Sequence, residues 1–465
     1  MKYLLYIFFL ATLLACESTI DLKPLSQNSA DNFYTTASDM EQAVTATYDG
    51  VQDLMRPGYL DHFAEVRSDN SYNFATTPAG GAYADFDNFN LNASNARLNN
   101  FWHSAYLGIQ RANIVLNRID AITMDPEVKE VRKGEVKFLR ALTYFYLVQI
   151  WGDVPLVVEE TEDPMESINQ ERTPVAEVYN QIISDLSEAS DMLPATVDEA
   201  DDGRATQGAA LALLARVSLV QADYPKVIEY ADAVITSDEY ALDADYAGIF
   251  DYFTESNEVI FKVLFKSGTN AEGFPYLNVN HDYNNTASRD FMVTFSEDPR
   301  LDAIVDTSNI GTYYSNKLHN EQVNSDNTID IKLVVLRYAD ILLMKAEALN
   351  AQNYPSAEAL ALLNQVRGRV NAPEFAMADF GSQDAFLEAI LTERRVEFAF
   401  ENLRWFDLVR TGKVVDVMTE KSVGGDKVNS ASALPYTFHE SQILFPVPQE
   451  QIDASGGNLT QNTGY

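Results

Sequence analysis

The spacing of apolar residues along the chain predicts a protein built mainly from α-helices. Phe101, Ala105 and Ile109 stand four residues apart, which places them on one face of a helix. Similar patterns, bounded by capping residues, prolines or glycines, predict further helices. The predicted helices cover residues 38–56, 96–119, 127–151, 173–194, 206–222, 226–237, 331–351, 356–370 and 384–410. Gly152 and Gly412 stand where two of them should end.

Two of the predicted helix pairs resemble each other. Residues 209–215 form an alanine-rich helix that leads to the turn Asp223-Tyr224-Pro225, and residues 341–348 lead in the same way to Asn353-Tyr354-Pro355. Each turn is followed by a second amphipathic helix. Small residues that let two helices pack closely are typical of tetratricopeptide repeats. The sequence therefore predicts an all-α, tetratricopeptide-like helical repeat scaffold.

Long irregular stretches separate the helices. Residues 58–95, 267–327 and 424–465 are rich in Asn, Asp, Gly and aromatic residues and carry few helical signals. Loops of this length are uncommon in a compact domain unless they serve a function. Because a rigid scaffold that holds elaborate loops is a common way to build a binding face, we expect these loops to form one.

These loops carry aromatic residues together with Asp, Asn and Arg, the kinds of side chain that line ligand pockets. Each predicted ligand-binding side chain could instead pack within the loops, and that alternative stays open. Trp102, Trp151 and Trp405 lie in or next to predicted helices and are assigned to the core. The predicted ligand-binding residues are Asp69, Asn70, Tyr72, Phe74, Tyr83, Phe86, Tyr276, Tyr283, Arg289 and Tyr313.

The N-terminus has the pattern of a bacterial lipoprotein signal. Lys2 precedes an apolar run of about 13 residues that ends at Cys16, and a membrane-spanning helix needs roughly 20. Cys16 is the only cysteine, and it follows Leu13-Leu14-Ala15, the pattern that lipid-modifying enzymes recognise. The alternative is an ordinary signal with an incidental thiol. We predict a signal peptide over 1–15, a lipidated N-terminus and tether over 16–32, and a single domain over 33–465.

Charge and motif content narrow the possible functions. Lys and Arg number 33 against 69 Asp and Glu, which gives a formal net charge of −36. Such a surface repels phosphate backbones, so we expect no nucleic-acid partner. The sequence holds no zinc-protease motif, Walker loop, dinucleotide fingerprint or nucleophile elbow, and its histidines lack metal-ligand spacing. We therefore predict a protein that is not an enzyme and has no cofactor.

Two charged segments could be mistaken for functional sites. Asp85 and Asp87, with Asn88 and Asn90, offer oxygen ligands but lack the glycine and distal glutamate of a calcium loop, so a solvated turn is predicted. The helix predicted over 384–410 carries Arg394 and Glu397, Glu401 and Arg404, and Arg404 and Asp407, each pair three residues apart. We expect these charges to pair along one helix face, within a packed structural helix.

Several motifs, taken together, resemble one protein family. Residues 391–412 read LTERRVEFAFENLRWFDLVRTG, and residues 337–350 read RYADILLMKAEALN. FLRA at 138–141 precedes WGDVP at 151–155, and FPVP at 445–448 precedes NLTQNTGY at 458–465. With the lipoprotein signal, these segments follow the order of the SusD/RagB family of Bacteroidetes outer-membrane lipoproteins, which the chain resembles over its whole length.

The resemblance implies a function. Proteins of this family bind an oligosaccharide on the extracellular face of the outer membrane and deliver it to a SusC-like TonB-dependent transporter. The resemblance thus implies a lipid-anchored lid whose partners are that transporter and the oligosaccharide, with the ligand held by loops. The predicted ligand-binding residues suit such a ligand, because the C–H faces of sugar rings pack on aromatic rings and sugar hydroxyls form hydrogen bonds with Asp, Asn and Arg. Two alternatives stay open: a RagB-like lid that binds peptides, and a tetratricopeptide-type scaffold that binds only proteins.

Overall fold

A computed structural model of the protein describes residues 33–73, 81–163, 165–266, 274–275, 285–308, 313–318, 322–324, 327–424 and 437–465. The predicted helical architecture is confirmed. The helices of the described residues are α1 (Ala37–Met55), α2 (Gly81–Asp87), α3 (Ala96–Arg118), α4 (Pro126–Trp151), α5 (Val175–Met192), α6 (Gln207–Val220), α7 (Tyr224–Thr236), α8 (Arg289–Thr294), α9 (Leu301–Ile304), α10 (Tyr338–Gln352), α11 (Ala357–Arg369), α12 (Gln383–Glu397), α13 (Arg404–Arg410), α14 (Val414–Gly424) and α15 (Gln449–Ala454).

Capping residues explain where several helices begin and end. The Thr36 side chain accepts a hydrogen bond from the backbone N–H of Asp39, and the Asp39 carboxylate accepts one from the backbone N–H of Thr36. α1 therefore begins after Thr36. Gly152 (φ +73°) and Gly412 (φ +69°) adopt the left-handed conformation just after α4 and near the end of α13, as predicted.

The long helices pack in a continuous array. α4 lies between α3 and α5, α6 contacts α5 and α7, α7 contacts α10, and α10 contacts α11 and α12. In each of the two predicted tetratricopeptide-like pairs, α6 with α7 and α10 with α11, the two helices pack against each other. In the first pair the predicted turn is shorter, because Tyr224 and Pro225 already belong to α7, which Asp223 caps. Trp151 and Trp405 are fully buried in this core and Trp102 is 3% exposed, as predicted.

One predicted helix begins with a strand instead. Residues Ile331–Arg337 form β8, which pairs antiparallel with β2 (Val259–Phe265), and α10 starts only at Tyr338. Nearly all of the β8 side chains are buried. A short, continuous apolar run has no period that separates a buried strand from a buried helix, and the branched side chains of Val334 and Val335 favour the strand.

The helix predicted over 384–410 is divided by a turn. α12 ends at Glu397 and α13 begins at Arg404. Between them Phe400 (φ +62°) and Asn402 (φ +63°) adopt the left-handed conformation, which a continuous helix excludes. The backbone N–H of Phe400 donates instead to the buried carboxylate of Glu65, 2.9 Å away, so a tertiary contact replaces the helical hydrogen bond.

Short strands connect distant parts of the chain. β1 (Ser71–Tyr72), β4 (Thr286–Ala287), β6 (Tyr314–Ser315) and β5 (Val305–Asp306) form an antiparallel sheet in the order β1-β4-β6-β5. β3 (Phe274–Pro275) pairs with β7 (Thr328–Ile329). Within the described ranges, no helix combines the length and the hydropathy needed to cross a bilayer.

Candidate functional site

The four-stranded sheet joins two of the irregular stretches that were predicted to carry a ligand. Ser71 lies opposite Ala287, and Thr286 lies opposite both Tyr72 and Tyr314. The Ser288 hydroxyl donates to the carbonyl oxygen of Asp69 at 2.7 Å, which continues the contact beyond the strands. We call residues 69–73, 285–290 and 313–315 the loop junction.

Two of the predicted ligand residues reach the surface of the loop junction. Arg289 is exposed at the start of α8, and its guanidinium makes no hydrogen bond within the described chain. Tyr313 is half-buried on the neighbouring stretch of the sheet, and its carbonyl oxygen accepts a hydrogen bond from the backbone N–H of Ala287 at 2.8 Å. A positive side chain and an aromatic side chain can supply hydrogen bonding and ring stacking.

Three other predicted residues form the interior of the junction. Tyr72 is 1% exposed, and Asp69 and Asn70 are buried as well. The Asp69 carboxylate accepts two hydrogen bonds from Arg404, at 2.7 and 2.9 Å, and lies 3.0 Å from Arg395. In this conformation these side chains hold the loops in place and do not face solvent.

Tyr83 and Phe86 lie on α2, which is not part of the loop junction. Phe86 is fully buried against Phe63, with ring centroids 4.9 Å apart. Tyr83 is half-buried, and the Arg97 guanidinium lies 4.1 Å from its ring centroid. Phe74, Tyr276, Tyr283 and Cys16 lie outside the described residues. Ligand contact by any of the predicted residues stays a prediction.

Two buried carboxylates at the loop junction, Asp69 and Glu65, have pKa values shifted in opposite directions. Burial alone would raise the pKa of Asp69, but Arg395 and Arg404 outweigh it and hold that pKa well below its usual range. Glu65, whose carboxylate accepts from the Asn70 amide at 2.9 Å, has no such cation in direct contact. Burial therefore raises the pKa of Glu65 to about 7, against the hydrogen bonds from Asn70 and Phe400 and the charge of Lys317.

Lys421 on α14 is a further anchor. Its Nζ donates to the carbonyl oxygens of Ser68 and Ser71, at 2.7 and 2.8 Å, and lies 3.3 Å from the carboxylate of Asp87. The prediction of a solvated turn is wrong at Asp87, which is buried because it pairs with this lysine. Among the described residues, no group of three or more His, Cys, Asp or Glu side chains could hold a metal ion.

The charged helix segment over 384–410 forms many of its ion pairs with distant elements. Arg394 bonds to Asp340 at 2.6 Å and to Asp407 at 3.0 Å, and Arg404 bonds to Asp69. The three predicted pairs are wrong, because their members bond to other partners. Glu397 pairs with Arg300, Arg337 and Arg369, and Glu401 pairs with Lys317 and Arg337. Residues 391–410 therefore tie the loop junction to the scaffold, and sequence spacing gives no signal for partners so far away.

A small cavity borders the junction. It has a volume of about 50 Å³, is lined by Asn285, Lys317 and Glu401 among others, and has room for water rather than for a sugar ring. Burial lowers the pKa of Lys317 to about 8, although Glu401 raises it. A sugar therefore does not fit this cavity.

Comparison with protein families gives two matches. Residues 257–465 match the family model described as the SusD family, and residues 20–219 match one described as starch-binding associating with outer membrane. SusD-like protein P2 of Formosa agariphila is 25% identical over 99% of both chains. The starch-binding protein SusD of Bacteroides thetaiotaomicron is 33% identical, over 34% of this chain and 28% of its own length.

Solved structures share the whole fold. A laminarin-binding SusD-like protein superposes with a TM-score of 0.79 at 25% identity, over 93% of this chain and 100% of its own. Surface glycan-binding protein A from Bacteroides thetaiotaomicron gives a TM-score of 0.77 at 22% identity, with the same coverage. The latter similarity concerns the fold alone.

Proposed function

This chain belongs to the SusD/RagB family, and from that premise we propose that it is a cell-surface lipoprotein that binds a glycan and delivers it to a SusC-like TonB-dependent transporter. The match of separate models to both halves of the chain supports the membership. The laminarin-binding relative supports a glycan as the ligand.

The observation that carries the proposal is the loop junction. Two irregular stretches more than 200 residues apart in the sequence pair as strands. The Thr286 hydroxyl also donates a hydrogen bond of 2.8 Å to the carbonyl oxygen of Tyr72. The half-buried Arg395 and Arg404 bond to Asp69 inside the junction, while Arg289 and Tyr313 lie at its surface. A rigid base under exposed polar and aromatic groups suits sugar recognition.

Binding of the full-length chain to a glycan array and to affinity gels tests the ligand class. We expect one or more neutral glycans to bind, and Arg289→Ala to weaken that binding roughly tenfold, as the loss of a charge-assisted hydrogen bond predicts. Arg56→Ala is the matched control, because Arg56 is an exposed arginine at the end of α1 and not part of the junction. Equal loss in both variants would contradict the assignment.

The same assay separates the alternatives. Binding of a peptide library without any glycan would favour the RagB-like lid. Binding of neither a glycan nor a peptide, together with a stable transporter complex, would favour the protein-binding scaffold.

The membrane anchor is tested separately. We propose that Cys16 carries the lipid and that the outer membrane holds the chain on its extracellular face. Cys16→Ser should release the protein from the membrane fraction and abolish incorporation of labelled fatty acid, while an Asp or Ser substitution in the 17–32 tether should do neither. Surface proteolysis of intact cells then reports which face the protein occupies.

A further inference from the structure

A second groove lies on the helical scaffold, apart from the loop junction. It runs between α3, the segment 155–161 and α15 with the residues that follow it, and it has a volume of about 340 Å³. Small-molecule sites span roughly 300–1,000 Å³, so this groove falls within their range. No residue of the loop junction lines it.

The groove is uncharged in a strongly acidic protein. The chain carries a formal net charge of −36, yet none of the 13 described residues that line the groove is Asp, Glu, Lys or Arg. An anionic ligand would meet no cation there, and a cationic ligand would meet no carboxylate. The lining therefore favours a ligand that is neutral and polar.

Aromatic rings form one wall of the groove. The rings of Trp102 and Tyr106 lie 5.3 Å apart at an interplanar angle of 33°, and Trp102 packs edge-on against Trp151 at 4.9 Å. The Tyr106 hydroxyl donates to the carbonyl oxygen of Pro155 at 2.8 Å. These contacts fix the rings. Trp102 is buried behind Tyr106, so the half-buried ring of Tyr106 is the preformed apolar surface that the C–H face of a sugar can reach.

Some polar side chains of the groove form hydrogen bonds with the protein, and others do not. Gln110 donates to the carbonyl oxygen of Thr161 and accepts from its backbone N–H, at 2.9 and 3.1 Å, and Gln451 donates to Asn99 at 2.8 Å. The Gln170 amide and the His103 imidazole make no hydrogen bond within the described chain. Both are therefore available to donate to and accept from hydroxyl groups.

We propose that this groove is a second binding site for a neutral oligosaccharide. One wall stacks against a sugar ring, and the Gln170 amide and the His103 imidazole bond to its hydroxyls. The site does not depend on the loop junction binding a glycan. It would let the scaffold hold one part of a long neutral chain while the junction holds another part.

Fluorine NMR of the full-length chain, labelled with 5-fluorotryptophan, tests the proposal. The sequence holds three tryptophans, so Trp→Phe variants assign each resonance. Laminarihexaose, cellohexaose, maltohexaose, xylohexaose and mannohexaose serve as probes at millimolar concentration. We expect at least one of them to shift the Trp102 resonance with a saturable dependence on its concentration.

Two variants link the shift to the groove. Gln170→Ala removes the free amide and should raise the dissociation constant reported by Trp102 about threefold to tenfold. Ala454→Trp places a large side chain at an exposed position of the rim and should abolish the shift. Gln42→Ala, an exposed glutamine on α1, is the matched control and should leave it unchanged.

Three results would overturn the proposal. The first is a Trp102 resonance that responds to none of the probes. The second is a response that Arg289→Ala abolishes and Gln170→Ala leaves intact, because the shift would then be transmitted from the loop junction. The third is tighter binding of a neutral tetrapeptide than of any glycan at the Trp102 resonance, which would assign the groove to a peptide. Failure of the glycan-array assay with Arg289→Ala alone concerns the proposed function and not this groove.

Discussion

Helix α6 and strand β1 reach a buried state by different means. α6 buries 11 of its 14 residues, mostly Ala, Leu and Val, between α5 and α7. β1 is only two residues long, and its neighbours from Asp69 to Asn73 are buried with it although they are polar. Apolar area removed from water stabilises the first region, and hydrogen bonds to charged side chains hold the second.

The charged side chains that hold the loop junction come from the C-terminal helices. Arg395 bonds to Asn70 and Asp69, Arg404 bonds to Asp69, and Lys421 bonds to Ser68 and Ser71. The scaffold therefore does more than support the loops from below. Different substitutions should therefore destabilise the two regions. The scaffold should lose stability when a substitution leaves a cavity, and the loop junction when one leaves a buried charge unpaired.

The largest expected effect comes from Glu397. Its buried carboxylate lies 2.5 Å from Arg337 and 2.7 Å from Arg300, and it also pairs with Arg369. Glu397→Gln removes the one charge that these three guanidinium groups share at that point. Removing one partner of a buried ion pair costs about 3–5 kcal/mol of unfolding free energy, which urea denaturation measures.

The control for Glu397→Gln is a glutamate on the same helix. Glu388 is largely exposed and pairs with Lys413, so Glu388→Gln should change the unfolding free energy by less than about 1 kcal/mol. Similar losses in the two variants would show that burial of the ion pairs does not govern the stability of this region.

The scaffold could be predicted from the sequence because its signals are local. The apolar period located the long helices, and Gly152 and Gly412 marked two of their ends correctly. The errors arose where a distant partner decides the local structure. β8 is a strand because β2 lies beside it, and α12 ends because Phe400 bonds to Glu65, more than 300 residues away.

The loop junction could be predicted only in part. The stretches that form it were predicted to be irregular, and Arg289 and Tyr313 lie at its surface. Their contact with a ligand stays a prediction. The burial of Asp69 and Asn70 could not be read from their polar side chains, because it depends on Arg395 and Arg404. The second groove was missed, since its residues come from three separate segments and share no motif.

The next largest effect is the pH dependence that Glu65 gives to the loop junction. Its pKa is raised by burial from 4.5 to about 7, so folding favours the protonated carboxyl. The stability that this group contributes is fully present below pH 4.5 and is lost as the pH rises through about 7. Glu65→Gln is uncharged at every pH and lacks this loss.

We therefore expect the free energies of unfolding of the wild type and Glu65→Gln to diverge with pH. The difference should grow between pH 4.5 and 7 in favour of the variant, by up to about 3 kcal/mol, and stay constant above that range. Urea midpoints at several pH values measure it. Other titrating groups, such as Glu135, act in both proteins and cancel. Curves that stay parallel from pH 4.5 to 8 would contradict the prediction.

A smaller effect tests close packing in the scaffold. A Cβ added at Gly50 of α1 would lie 2.9 Å from the Cα of Gly108 in α3, so Gly50→Ala pushes two helix backbones apart. We expect a net loss of about 1–2 kcal/mol after the better helix propensity of Ala is counted.

Gly108→Ala is the control, because it adds a methyl group on the other side of the same helix contact, where there is more room. A Cβ there would lie 3.7 Å from its nearest neighbour, the Cα of Gly50, which is ordinary van der Waals contact. Because the helix propensity then acts alone, this variant should be neutral or more stable by up to about 1 kcal/mol. Thermal unfolding of both variants measures the difference, and equal shifts of the midpoint would refute the steric explanation.

The smallest expected effect concerns Arg395, and it discriminates best between the two regions. Its Nε donates to the Asn70 side chain at 2.9 Å, and one Nη lies 3.0 Å from the Asp69 carboxylate and 2.7 Å from that of Asp290. Arg395→Lys keeps the charge but loses the fork that spans both loops. Since Arg404 still pairs with Asp69, we expect the free energy of unfolding to fall by only about 1 kcal/mol.

Hydrogen exchange separates the two regions in the Arg395→Lys variant. Exchange should become faster at the Ser288 amide, which donates to the Asn70 carbonyl oxygen, while the amides of α6 keep their protection. Uniform loss of protection in both regions would mean that the loop junction and the scaffold open as one unit.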